Sequence, residues 1–105
     1  MIRGAVYKVD LGEARRGHEQ RGRRYGVVVS PSSTAWSVAT VVPTSTSARS
    51  AVFRPELDLM GVRTLFLVDQ IRTVDTTYIH GDPVGYLDGD EMAEIEHAMT
   101  RYFGL

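Results

Sequence analysis

Residues 17–31 read G-H-E-Q-R-G-R-R-Y-G-V-V-V-S-P. The first half is polar and carries Glu19, Gln20, Arg21, Arg23 and Arg24. The second half is a short apolar run, Val27-Val28-Val29, stopped by Ser30-Pro31. β-Branched residues bounded by turn formers favour a strand. A charged loop therefore runs straight into a buried strand, which puts cationic and carboxylate side chains at the mouth of a rigid element. The rest of the chain has to supply the walls of whatever that mouth opens into.

On the N-terminal side, residues 4–10 alternate, with Ala5, Tyr7 and Val9 pointing one way and Val6, Lys8 and Asp10 the other. That period predicts a strand, although Val6 is apolar on the polar side. Between the two strands, residues 11–24 hold five Arg and three Gly and predict a long loop. On the C-terminal side, residues 36–43 predict a third strand, with Val38, Thr40 and Val42 on one face. It pairs with the second strand across a polar turn as an antiparallel hairpin, and Pro43 ends the ladder. Residues 44–50, T-S-T-S-A-R-S, read as a hydroxyl-rich loop and 51–54 as a short strand. Gly61 marks a turn, 64–69 a central strand, and 77–80 and 84–87 two short strands separated by Gly81-Asp82-Pro83. The period then changes. Met92, Ile95, Met99, Tyr102 and Phe103 recur at helical spacing, with Asp88 or Asp90 placed to cap the start and Gly104 to stop the end. Six or seven short strands and one C-terminal helix give a mainly β (α+β) chain, a small curled sheet or barrel closed by the helix. One domain over residues 1–105 is expected.

Composition narrows the class. Forty-three per cent hydrophobic residues suit a globular core. There is no cysteine, which excludes disulfides and thiolate metal sites. No apolar run approaches the roughly 20 residues that cross a bilayer, and no leader is visible, so a soluble, cytoplasmic protein is expected. The net charge of −1 hides an asymmetry. Residues 1–54 hold nine Lys/Arg against three Asp/Glu, net +6, and residues 55–105 hold three against ten, net −7. Eleven of the twelve basic residues are Arg, the residue suited to bidentate phosphate contacts and base stacking. An anionic partner on one surface follows.

Three constellations carry chemistry. The first is Glu19, Gln20, Arg21, Arg23 and Arg24, able to bind an anion and move a proton. Read alone, the same residues also describe a solvated basic loop with one ion pair. The second is Thr44-Ser45-Thr46-Ser47, whose hydroxyls suit phosphate oxygens or ordinary turn chemistry. The third is Asp69-Gln70-Ile71-Arg72, in which Gln70 and Arg72 suit nucleic acid and Asp69 suits an ion pair with a nearby Arg. His18, His80 and His97 have no metal-ligand spacing, and only His18 lies in the loop of interest.

Taken in order, these segments resemble the MazF/PemK toxins of type II toxin–antitoxin systems. The resemblance is carried by R-G-A-V-Y-K-V-D-L at 3–11, G-H-E-Q-R-G-R-R followed by V-V-V-S-P, V-V-P-T-S-T at 41–46, V-D-Q-I-R-T at 68–73, G-D-P-V-G-Y-L at 81–87 and the closing helix. It implies a small SH3-like barrel of the CcdB/MazF type, working as a homodimer. It implies a metal-independent, cofactor-free endoribonuclease that cuts single-stranded RNA at short motifs and is neutralised by a cognate antitoxin. No membrane partner is expected. In the family's G-x-E-Q-x-G-x-R-P pattern the catalytic Arg falls on Arg24 and the acid on Glu19. The catalytic hydroxyl, counted from Pro43, falls on Ser45, with Thr46 beside it. The chain departs from the pattern twice. Tyr25 stands where the family has Pro, removing a φ constraint, and Ser45 stands where it has Thr, losing a χ1-stiffening methyl. The resemblance further implies RNA contacts from His18, Gln20, Arg21, Arg23, Thr44, Gln70 and Arg72. Two other readings fit the same residues: a non-catalytic RNA- or protein-binding barrel, and a gyrase-targeting toxin of the same fold.

Overall fold

Successive strand residues point to opposite faces of a sheet, yet Val27 and Val28 are both fully buried. Both faces of the central strands are therefore covered. On one face Val6, Val27 and Val42 pack with Leu57, Leu59, Phe66 and Val68 and with Met92, Ile95 and Ala98 of the C-terminal helix. On the other, Ala5, Tyr7, Val9 and Leu11 pack with Val28, Ala39, Val41, Val74 and Ile79. The second cluster fills the inside of a curled half-barrel, and the helix closes the outside. Val6 is thus apolar because its side of the strand is a core too.

The computed structural model describes residues 1–12, 23–32 and 37–105. The strands are β1 (Ala5–Asp10), β2 (Arg23–Val28), β3 (Val38–Ser45), β4 (Glu56–Leu59), β5 (Val62–Phe66), β6 (Arg72–Asp75) and β7 (Ile79–Tyr86), followed by helix α1 (Gly89–Phe103). Short 3₁₀ turns lie at Val68–Gln70 and Thr76–Tyr78. The sheet order is β4-β5-β3-β2-β1-β7, with β6 also pairing β3. All the pairings are antiparallel.

The expected antiparallel pairing of β2 with β3 is present, registered Val27↔Val42; the polar turn expected between them lies largely outside the described residues. Pro43 does not end β3, which continues to Ser45. The physical reason is its place in the ladder. On the side away from β2, the first half of β3 pairs β6 as far as Val41↔Arg72, and its end pairs β5 from Thr44↔Phe66. Pro43 sits at the changeover, where a missing N–H removes no ladder bond, while its carbonyl accepts from Leu67 N at 2.8 Å. β2 begins at Arg23, so Arg23 and Arg24 stand on the strand rather than in the loop. Residues 51–54 form a turn instead of a strand, and β4 and β6 are strands that the sequence pattern does not announce. The expected central strand at 64–69 lies earlier, at β5, and ends in the first 3₁₀ turn. The two expected strands around Gly81-Asp82-Pro83 are one, β7, which absorbs the break as a register shift opposite Val6 and Lys8. At the β4–β5 turn Met60 and Gly61 both have positive φ, 53° and 81°, the geometry of a tight two-residue hairpin.

Helix α1 follows its pattern closely. Asp88 caps the start in a reciprocal box with Glu91, their N–H···O distances 2.8 and 3.0 Å. Gly104 ends it in the left-handed conformation at φ 72°. Met92, Ile95 and Ala98 are its buried residues, while Tyr102 and Phe103 remain largely exposed. Tyr102 meets Phe53 edge-on at 5.0 Å between ring centroids.

Candidate functional site

Register brings the first two constellations together. β1 and β2 pair as Lys8↔Tyr25 and Val9↔Arg24; β2 and β3 pair as Gly26↔Pro43. The C-terminal end of β3 therefore lies beside the N-terminal end of β2. Thr44 Oγ1 fixes that juxtaposition by donating to the Tyr25 carbonyl at 2.9 Å. Between these strand ends is an open hollow of about 420 Å³ lined by Lys8, Arg24, Tyr25, Thr44, Ser45 and Thr46.

The three hydroxyls of this hollow differ in what they have left to offer. Thr44 is buried and its proton goes to Tyr25. Ser45 is also buried, and its Oγ accepts from the backbone N–H of Ser47 at 3.2 Å and of Ala48 at 2.9 Å. Those bonds use the oxygen as acceptor and leave its O–H as a donor, in a position held by the turn. Thr46 is exposed. Arg24 is exposed at the rim, and Tyr25 is half-buried against the helix-side core. A guanidinium, an ammonium and a hydroxyl with its proton still to give, around one hollow, suit the binding of an anion.

The third constellation goes elsewhere. Asp69 takes a bidentate pair from Arg54, Nε to Oδ1 at 2.9 Å and an Nη to Oδ2 at 2.8 Å. Arg54 also donates to the Arg49 carbonyl at 2.9 Å. The pair is about four-fifths covered, with side-chain exposures of 17% and 24%. The Arg54 hydrogen bond holds the Asp69 carboxyl below its ordinary range, against the opposing effect of burial, and Arg54 is raised in turn. This clamp joins the segment after β3 to the first 3₁₀ turn, so Asp69 is the ion-paired residue of its motif. Gln70 ends that turn and is half-buried. Arg72 opens β6 opposite Val41, four residues along β3 from Ser45 and so roughly 13 Å away. It lines a separate hollow of about 300 Å³ with Asp10, Asp75 and Tyr78 among others.

Arg23 stands opposite Asp10 at the start of β2. His18, Glu19, Gln20 and Arg21 lie outside the described residues. Among the described residues no three His, Asp or Glu side chains gather as metal ligands would, and no helix is long and apolar enough to cross a membrane. Sequence reading missed Lys8 as a lining residue. The available signal was a lysine, the chain's only one, set between the apolar residues Tyr7 and Val9 of β1.

Comparison with known proteins identifies the family and the fold. The family model described as "PemK-like, MazF-like toxin of type II toxin-antitoxin system" matches residues 2–103. A Mycobacterium tuberculosis protein described as a "putative toxin" is 70% identical over 105 residues, covering 100% of this chain and 99% of that one. Endoribonuclease PemK of Escherichia coli is 38% identical over 82 residues, 71% of this chain and 61% of that protein. Among solved structures, MazF from Deinococcus radiodurans superposes with a TM-score of 0.84 at 24% identity, over 98% of this chain and 96% of that one. A mycobacterial endoribonuclease in complex with its cognate antitoxin superposes with a TM-score of 0.81 at 22% identity, over 100% and 96%. The half-barrel with its single C-terminal helix is thus the fold of MazF structures, and the chain belongs to the PemK-like, MazF-like toxins of type II toxin–antitoxin systems.

Proposed function

We propose that residues 1–105 act as one cytoplasmic toxin domain, a homodimeric, metal-independent endoribonuclease that cuts single-stranded RNA and is silenced by a cognate antitoxin. Family membership supports the class, as do a relative named an endoribonuclease and a solved structure titled as one bound to its antitoxin. The observation that carries the reading is the shared hollow of Arg24 and Ser45, contributed by different strands.

The reaction uses a nucleophile that RNA brings with it. The 2′-OH, absent from DNA, attacks the adjacent phosphorus. The bond from phosphorus to the 5′-oxygen breaks and the departing oxygen takes a proton from water, leaving a 2′,3′-cyclic phosphate and a 5′-OH end. Arg24 stabilises the charge that develops on the phosphorane oxygens; a guanidinium holds its protons too tightly to act as a base. Glu19 is the candidate to take the 2′ proton. Ser45, with its oxygen pinned by two N–H groups and its O–H available, donates to a non-bridging oxygen; Thr46 is the alternative donor. Thr44 holds the strands rather than the RNA. His18, Gln20, Arg21, Arg23, Gln70 and Arg72 serve the flanking strand, and Tyr25 offers a stacking surface.

Incubating the protein with a long RNA and sequencing the cut ends tests this. New 5′-OH ends recurring at one short motif are expected. Binding without cleavage would instead support the non-catalytic barrel, and trapped gyrase–DNA complexes would support the gyrase-targeting alternative.

A further inference from the structure

Lys8 is in an odd place. β1 is an interior strand, paired on both sides by β2 and β7, so its lysine does not guard a sheet edge, the usual structural use of a strand lysine. Every residue of Ala5–Val9 except Lys8 is buried. Lys8 instead reaches the hollow of Arg24, Tyr25 and Ser45, and among the described residues it makes no ion pair. Its cross-strand neighbours are Tyr25 on β2 and His80 on β7, so no carboxylate stands opposite it in either ladder.

We propose, resting on the RNA-cleaving reading above, that Lys8 is a substrate-positioning residue that holds the phosphate next to the scissile one. The spacing selects that phosphate. Ser45 and Lys8 lie two strands apart, about 10 Å by interstrand spacing, with Arg24 on the strand between them. The scissile phosphate belongs with Arg24 and Ser45. A strand of RNA leaving that point across Tyr25 passes over Lys8 towards β7. A lysine suits this task, because it binds phosphate as a point charge without the fixed fork of an arginine. The direction of the groove follows as well: the chain crosses the strands, from the end of β3 over β2 to β1.

The test compares the parent with Lys8→Gln and Lys8→Arg on two readouts. One is affinity, against salt, for the parent's cleavage-motif oligonucleotide carrying a single 2′-deoxy nucleotide at the cut site. The other is the single-turnover cleavage rate of the all-ribose oligonucleotide at saturation. Lys8→Gln should weaken binding about tenfold, the scale of one charge-assisted hydrogen bond. It should lower the slope of log affinity against log salt by about 0.7, the value for one single-strand phosphate. The saturated rate should stay within about threefold, and Lys8→Arg should restore most of the affinity. Unchanged affinity and slope in Lys8→Gln would overturn the role of Lys8 while leaving the nuclease reading intact. A collapsed saturated rate with unchanged affinity would overturn the neighbouring-phosphate assignment in favour of the scissile one. A parent that binds RNA but never cuts it would refute the nuclease reading and, with no scissile phosphate, the neighbouring-phosphate assignment as well. A parent that does not bind RNA would overturn both.

Discussion

At the scale of single residues, the site depends on what each polar atom has left to give. Arg24 stands at the start of β2 where the hollow opens, and its permanent charge can meet negative charge that develops only in the transition state. Removing a donor of that kind costs about 10²–10³ in turnover. Arg24→Ala should therefore lose at least that much single-turnover rate while keeping the parent's circular dichroism and melting temperature; parental cleavage by a folded Arg24→Ala would refute its role. Ser45 and Thr46 make a sharper comparison. The Ser45 oxygen is held in place by the N–H groups of Ser47 and Ala48, whereas Thr46 is exposed. Ser45→Ala should cost about tenfold or more in single-turnover rate and Thr46→Ala less, measured on the same RNA. The opposite order would move the catalytic hydroxyl to Thr46. Because Ser45→Ala also strips two N–H groups of their acceptor, Ser45→Thr is the control: it retains the oxygen and should retain the rate.

At the scale of elements, the segment after β3 is held by the Arg54–Asp69 clamp rather than by a strand. Breaking one side of a mostly covered ion pair leaves the other charge without its partner, so Asp69→Asn should destabilise the fold by about 1–3 kcal/mol at neutral pH. The pH dependence has a definite sign. Asp69 titrates below its ordinary value in the folded chain, so its contribution is fully present above the unfolded-state pKa. It is lost as pH falls from there through the lower folded value. Urea melts of parent and Asp69→Asn between pH 7 and pH 3 should converge at the acid end; a gap that stays constant would mean the clamp is not what the substitution removes. The clamp also shows what a sequence can and cannot announce. An ion pair for Asp69 was readable, but its partner was not, because Arg54 is brought near by the turn at 51–54. Local signals did suffice for α1, whose capping box, apolar spacing and terminal glycine all lie within one segment, and for β1 and the β2–β3 pairing. They failed for β6, whose four residues have little apolar content and exist as a strand only through pairing with β3. They failed for Pro43, whose tolerance inside a strand depends on where two other strands begin and end. Lys8 was missed for the same reason: alternation assigns it a face opposite Tyr25, and only the three-dimensional arrangement of the strand ends brings it to a hollow that Arg24 also lines.

At the scale of the whole molecule, the curled sheet turns segments far apart in sequence into one donor-rich concavity. The excess of positive charge in residues 1–54 then has a purpose that composition alone did not specify. Everything that lines the hollow, apart from the Tyr25 ring, is a cation or a hydroxyl, groups suited to holding a phosphate and its developing charge. In the proposed reaction the substrate supplies the nucleophile, and the protein contributes position and charge stabilisation. Two consequences follow. An oligoribonucleotide with one 2′-deoxy substitution at the cut site should resist cleavage there by at least about 10³-fold, limited by detection, yet compete for binding as well as the all-ribose strand, because the phosphate contacts that dominate single-strand affinity are unchanged. Chelation should also leave the rate of the all-ribose strand within about twofold, since the mechanism asks no metal to generate a nucleophile. Gel analysis of both strands with and without EDTA reads both outcomes. Cutting of the deoxy strand at the parental position would refute internal attack by the 2′-OH, and a loss of activity on chelation that Mg²⁺ restores would show that charge stabilisation at Arg24 and Ser45 is not sufficient without a cation of another kind.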